Sequence, residues 1–475
     1  MGDPAASRDA ALGRPVGRRW GAFAVVLVAS FMSSLDVSVM AVAGPAVQRG
    51  LASSPAQVQW VITGYALTFG LGLIPFGQLG DAIGRRRVFL FALAGFVLSS
   101  AAAGASPTPV ILIVARLVQG LSVGAMVPQC TALVMQLFPD ADRGRAFGTM
   151  AAAGGVAMAS GPVVGGAVLT VAGEPDGWRW TMLMNVPIGV AALIFGMWLI
   201  PASDRPRRHT FDLVGTALLG MSVLAVLLPL GESASGGLAR LWWLLPIGVA
   251  LGAVFVGWER RFVAAGREPV LDVGLLSGSP GFARAVGVAS SYFAGFSGVW
   301  LSFALFFQDG LGHSPLQSAL AVTPFAVGAT VAASRSGRLQ RRWGYRVLIS
   351  GLSLSLVGLA VTTALLVVVP GGLVAGAVAA PLFLAGIGGG LVVAPNTTSA
   401  MRSVPASDAG VASGVLQTGQ RIGAAIGTAV VAGVYFFVRA ATGADAQAIA
   451  AAVAVAALGV AGALAIALRR RATFD

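Results

Sequence analysis

Apolar runs of about 20 residues, the length that carries a helix across a bilayer's hydrocarbon core, follow one another along the whole chain with short polar or basic joints between them. Fourteen can be drawn, at 20–44, 57–79, 88–106, 109–131, 146–170, 179–200, 212–230, 241–259, 284–308, 318–335, 346–369, 371–394, 411–437 and 446–468. The pattern predicts an all-α integral membrane protein of 14 transmembrane helices. The joint after the second run reads Gly77-Gln-Leu-Gly-Asp-Ala-Ile-Gly-Arg-Arg-Arg87, a tight charged hairpin. A degraded copy, Gly337-Arg-Leu-Gln-Arg-Arg-Trp-Gly-Tyr-Arg346, follows the tenth run with the same glycine-to-glycine spacing. The chain therefore reads as two six-helix pseudo-repeats plus two inserted helices, the internal duplication typical of secondary transporters. Its expected parts are a tail (1–19), a first bundle (20–200), a connecting region (201–283), a second bundle (284–468) and a last tail (469–475). The connecting region holds a basic linker, the seventh and eighth helices and a loop.

Composition agrees with a membrane protein: 56% of the 475 residues are hydrophobic and 10% charged, and mean hydropathy is +0.84. All 31 basic residues are arginine, and alanine, glycine and valine abound, which points to a GC-rich bacterial genome and so to a bacterial cytoplasmic (inner) membrane. A net charge of +13 would ordinarily raise nucleic acid as a partner. Here 25 arginines fall in alternate loops on the side of the N-terminus and only Arg49, Arg179, Arg240 and Arg439 on the other, so topology and the lipid bilayer explain the charge. The positive-inside rule then places both termini in the cytoplasm. The first run lacks a small-residue cleavage site, so it reads as a spanner and not as a signal peptide. Cys130 stands alone, and His209 and His313 lie in separate loops, which argues against a disulfide, a metal site or any cofactor. Each chain carries both halves, so a monomer suffices for a pathway.

Asp36 is the one acid well inside a segment, and a carboxylate in hydrocarbon is costly enough to count as functional by default. It lies about 12 Å short of the outer end of its helix, and Arg116, on a helix running the other way, about 10 Å below the same face. Equal depth predicts a salt bridge, each charge offsetting part of the other's desolvation. Motion that parts the two lets the carboxylate take a proton, which makes the pair a proton switch, although a purely structural lock between helices is the plainer reading.

Other stretches carry weaker signals. Gly161, Pro162, Gly165 and Gly166 in the fifth segment predict a kink and close helix contact, or simply small-residue packing. In the first hairpin Asp81 precedes a helix start, within reach of Arg85, Arg86 and Arg87. Such a cluster is either a topology anchor or a latch that holds one conformation. Arg421 is expected to snorkel to the interface in preference to meeting a substrate anion, while Gln417 and Gln420 are candidates to line a polar cavity. Tyr292, Phe293, Phe296, Trp300, Phe303, Phe306 and Phe307 form an aromatic stretch of which one face should reach the centre, with Trp300 and Phe303 the candidates. Met32, Met40 and Met126, with Gln119, are candidates for adaptable contacts from the first half.

At these residues the sequence resembles the major facilitator superfamily, specifically its fourteen-helix drug:proton antiporter branch. Gly77, Leu79, Asp81, Gly84, Arg85 and Arg86 match the signature loop after helix 2. Leu35-Asp36 to Pro45 resembles the helix 1 motif, Arg116-Leu-Val-Gln-Gly120 the helix 4 motif, and Gly161-Pro162 with Gly165-Gly166 the helix 5 antiporter motif, with Ala157 in place of a glycine. Trp178-Arg179-Trp180 and Asn185 to Gly189 are similar to the branch's helix 6 entry. The resemblance implies proton-coupled efflux of small molecules by alternating access, with Arg116 in proton coupling. The second half has no membrane acid, which argues against dicationic dyes, and Arg341 stands where the first hairpin has Asp81. Proton-coupled uptake of a metabolite, or a sensor that transports nothing, are the alternatives; no nucleophile or catalytic domain suggests an enzyme.

Overall fold

The computed structural model describes residues 16–173, 175–201, 212–231, 237–264, 279–313, 315–402, 404–405 and 408–469. Most of both expected tails and the linker 202–211 lie outside the described residues, as do His209 and the loop 265–278. All regular structure among the described residues is helical. The first group comprises α1 (Val16–Gly50), α2 (Pro55–Ile83), α3 (Arg85–Gly104), α4 (Pro109–Leu137), α5 (Asp140–Ala172), α6 (Gly177–Leu183) and α7 (Asn185–Leu199). Next come α8 (Leu213–Gly231), the short α9 (Gly237–Leu241) and α10 (Leu244–Ala264). The last group is α11 (Pro280–Leu305), α12 (Pro315–Trp343), α13 (Arg346–Val368), α14 (Gly371–Ala377), α15 (Ala379–Gly390), α16 (Val393–Arg402), α17 (Ala409–Thr442) and α18 (Asp445–Leu468). Among the described residues ten helical stretches are long and apolar enough to cross a membrane, or eleven with α5, whose two parts bend by 44° across the Gly161-Pro162 stretch.

Local chemistry sets the boundaries. Ser54 and Gln57 form a reciprocal capping box ahead of α2, with Pro55 in the first turn. Gly84, at φ 107°, separates α2 from α3 inside the signature hairpin, a backbone conformation that a side chain would strain. Two segments that read as continuous spans are broken: 179–200 into α6 and α7, and 371–394 into α14, α15 and the start of α16. Each break falls four residues before a proline, Leu183 before Pro187, Ala377 before Pro381 and Leu391 before Pro395, where the missing N–H leaves a carbonyl unpaired.

The packing repeats. In the first group α1 lies on α5 and α7, and α4 on α2 and α3; in the last, α11 lies on α17 and α18, and α15 on α12 and α13. These are the same pairings shifted by eight segments. The two groups meet along two seams, α2 with α17 and α5 with α12. At both the backbones touch: a Cβ on Gly77 would lie 2.5 Å from the Gly410 carbonyl, and one on Gly337 would collide with the Gly144 carbonyl. Both contacts sit at the end that carries the arginine-rich hairpins. Helices α8 and α10 pair with each other, and α8 leans on α2 and α17, where Leu67, Val223 and Leu227 form an apolar cluster with Ile422.

Candidate functional site

Asp36 and Arg116 meet inside the first group, each 1% exposed. Arg116 donates from Nη1 to Asp36 Oδ2 at 2.6 Å and to Gln119 Oε1 at 2.6 Å, and from Nε to the Val61 carbonyl at 3.3 Å. The other carboxylate oxygen, Oδ1, accepts from Asn185 Nδ2 at 3.0 Å and from Gln119 Nε2 at 3.3 Å. Gln119 Nε2 also donates to Ser100 Oγ at 2.7 Å, and the guanidinium lies over the Tyr65 ring, 4.3 Å from its centroid. Five helices thus supply one dry polar network, in which every bond to a charged group strengthens for lack of water. Ser100 and Tyr65 had no assigned part in the sequence reading, and Asn185 entered it only as the start of the helix 6 resemblance; the one signal all three share is a polar atom inside an apolar segment.

Gln119 belongs to this network and does not line a cavity, because it is fully buried beside Arg116. A cavity of about 640 Å³ lies between the two groups of helices. Helical phase and depth along the helix together decide which side chains reach it. On α1 the cavity takes Ser30, Ser33, Ser34 and Val37; Met32 falls on the opposite face, while Met40 lies one turn beyond Val37 and packs with Val47, Val61 and Trp178, and both are 1% exposed in the cores. On α4 it takes Val127, Cys130 and Thr131, leaving Met126 buried one position away. On α11 Tyr292, Phe293, Phe296, Ser297 and Trp300 line it, whereas Phe303 packs on Phe307 in the second core. The expected places of Met32, Met40, Met126, Gln119 and Phe303 are thereby corrected, while Trp300, Gln417 and Gln420 do line the cavity.

Arg421 joins them, and the snorkelling expectation fails: its guanidinium lines the cavity, 3.9 Å from the centroid of the Phe69 ring across the seam. It starts the thirteenth residue of α17, well past the helix end that an interface position would need.

The signature hairpin is a cross-seam clamp. Asp81 Oδ1 accepts from Arg85 Nε at 3.1 Å and Nη2 at 3.0 Å. Asp81 Oδ2 accepts from the backbone N–H of Gly410 at 2.9 Å and of Val411 at 3.1 Å, the first turn of α17, where free N–H groups and the helix dipole favour an anion. Only Arg85 of the three arginines holds the carboxylate; Arg86 donates to the Met197 carbonyl and Arg87 is exposed. At the second seam Arg341 lies 3.6 Å from Asp142, so the copy crosses with the charges reversed. Asp81→Asn removes the charged bonds that pin α2 to α17 and is expected to open this end more often. Modification of the lone cavity cysteine, Cys130, by a membrane-impermeant maleimide added from that side should accelerate about tenfold, as for the loss of about 1.4 kcal/mol.

On α5, Gly161 and Gly165 press on α1: a Cβ on Gly161 would strike Ser38, and one on Gly165 would lie 3.2 Å from Val39. Ser38 Oγ donates to the Met158 carbonyl at 2.7 Å. Gly166 departs from that pattern, with open space where its Cβ would be. The side chain of Pro162 lies outside the described residues.

The Major Facilitator Superfamily model matches residues 26–428. The chain belongs to the major facilitator superfamily. It is 35% identical over 428 residues, 89% of this chain and 73% of the other, to the Streptomyces coelicolor protein named "Probable actinorhodin transporter". It is 34% identical over 429 residues, 89% of this chain and 83% of the other, to "Puromycin resistance protein pur8" of Streptomyces alboniger. The fold is similar to the human organic anion transporter MFSD10, with a TM-score of 0.67 at 18% identity over 95% of this chain and 100% of that one. This major facilitator chain is thus a multi-pass membrane transporter of bacterial type, and several of its relatives are named as resistance, export or multidrug efflux proteins, as in the drug:proton antiporter branch.

Proposed function

We propose that the protein is a proton-coupled efflux transporter that exports apolar or amphipathic small molecules by alternating access. The observation that carries the reading is the buried Asp36–Arg116 ion pair held by Gln119 and Asn185. An acid sealed in hydrocarbon and neutralised by one movable partner is a proton carrier in waiting. When α1 and α4 shift, the carboxylate exchanges the guanidinium for a proton; when they return, the proton is released on the cytoplasmic side. A proton falling through one pH unit and about 100 mV supplies about 3.7 kcal/mol, enough for a roughly 500-fold gradient of a neutral solute exchanged one to one.

In this reading the chain crosses the cytoplasmic membrane fourteen times with both termini inside. The bundles 20–200 and 284–468 rock about the cavity, α8, backed by α10, braces the α2–α17 seam, and a monomer is the working unit. The arginine-bearing hairpins face the cytoplasm, so the Asp81 and Gly77 contacts hold that side shut. Gly161 and Gly165 let α5 slide on α1. The relatives' names support small antibiotics as cargo, whether foreign or made by the cell itself. No covalent chemistry and no cofactor take part.

Direction is tested in everted membrane vesicles, where proton pumping acidifies the lumen. An exporter accumulates a dye substrate under those conditions and a proton symporter loses it. Accumulation that survives a protonophore would contradict proton coupling altogether.

A further inference from the structure

We propose that the cavity is built for flat aromatic molecules that carry an anionic group, with Arg421 as the counter-charge; the proposal rests on the export reading above for its physiological meaning. Arg421 is the one charged side chain among the described residues that line the cavity. Among the described residues it forms no ion pair, and its guanidinium is held instead over the face of Phe69. Cation–π contact keeps a guanidinium in place but leaves its in-plane N–H donors free, the geometry that receives a carboxylate or phenolate edge-on. Gln417 and Gln420, one turn and one residue before it on the same face of α17, add amide donors and acceptors for further oxygens.

The rest of the cavity supplies the aromatic half of the match. Phe296 and Phe325 have ring centroids 4.8 Å apart and Trp300 and Phe325 4.7 Å apart, and all three line the same space. Such rings offer broad faces to a planar polycycle. A volume of about 640 Å³ suits a drug-sized ligand. The charge balance excludes the opposite class: the acid that could attract a cation, Asp36, does not line the cavity and is bonded to Arg116. A cationic ligand would meet like charge at Arg421 with no carboxylate to offset it.

The test uses the purified full-length chain and three probes on one scaffold: anthracene carboxylate, its methyl ester and anthracenylmethylammonium, with binding read by energy transfer from tryptophan. The wild type should bind the carboxylate at least about tenfold more tightly than the ammonium. Arg421→Gln should cost the carboxylate about tenfold or more and the ester less than about threefold, while Arg421→Lys, which keeps the charge but loses the planar fork stacked on Phe69, should retain only part of the preference. Wild type that binds the ammonium as tightly as the carboxylate overturns the proposal without recourse to any variant. Equal losses of ester and carboxylate in Arg421→Gln overturn it too, since the residue would then only support packing.

Everted vesicles add an independent reading. At one proton per substrate, carboxylate export moves two elementary charges across the potential and ester export one. Collapse of the potential at constant pH difference should therefore slow the carboxylate more; equal slowing counts against an anionic cargo. The selectivity pattern in binding without any proton-driven uptake would sink the exporter reading and leave the anion pocket standing. Proton-driven uptake of all three probes alike would do the reverse.

Discussion

Asp36→Asn is expected to abolish proton-driven accumulation, by about 100-fold or more, because the exchanged proton then has nowhere to sit. The substitution preserves shape, and Arg116 keeps the Val61 carbonyl, the Gln119 amide oxygen and the Tyr65 ring. It nevertheless leaves a guanidinium that cannot shed its charge in a site without water, and breaking a buried pair by removing one partner costs about 3–5 kcal/mol. Lower thermal stability should therefore accompany the loss of coupling. Energy-independent exchange down a substrate gradient is expected to survive, and its rate should no longer depend on pH. Vesicles that compare active uptake with passive exchange read both quantities in one preparation.

Arg116→Gln is expected to stop transport for the opposite reason. With no guanidinium to take its place, the proton stays on Asp36, and the cycle stalls with the carboxyl loaded. A lone carboxyl can be neutralised by that proton whereas a lone guanidinium cannot, so Arg116→Gln should unfold less easily than Asp36→Asn. The double variant discriminates further. Removing both charges takes away the uncompensated one, and it should recover up to about 3 kcal/mol relative to Asp36→Asn while remaining uncoupled. Additive destabilisation in the double variant would mean that the two residues do not act as a pair.

The charged pair was legible because helix rise converts sequence position into depth, and two opposite charges at one depth in hydrocarbon have few other options. The glycine hairpins were legible through their repetition, and the clamp through Asp81 at a turn. Which face of a helix meets the cavity was not. Met32 and Ser33 differ by one position and about 100° of rotation, and only packing against α7, where Met32 approaches Gly189, fixes the phase. Gln119 was expected among the cavity contacts, yet one turn from Arg116 it finds its partners within the network. Arg421 was misplaced for a related reason: the aromatic face that shelters it, Phe69, is supplied by a helix about 350 residues away in sequence, and local pattern holds no trace of that contact. The prolines that break α6 from α7 and divide α14, α15 and α16 stood in the sequence throughout, but apolar length alone hides a break inside a span.

The most direct test of the proton switch is the infrared absorption of protonated carboxyl groups in membranes that hold the protein, recorded as the medium is acidified. Wild type should gain a band of a dry, protonated carboxyl that Asp36→Asn never shows, and Arg116→Gln should show that band already at neutral pH. Identical spectra from wild type and Asp36→Asn across the whole range would mean that Asp36 carries no proton, and the account would fall.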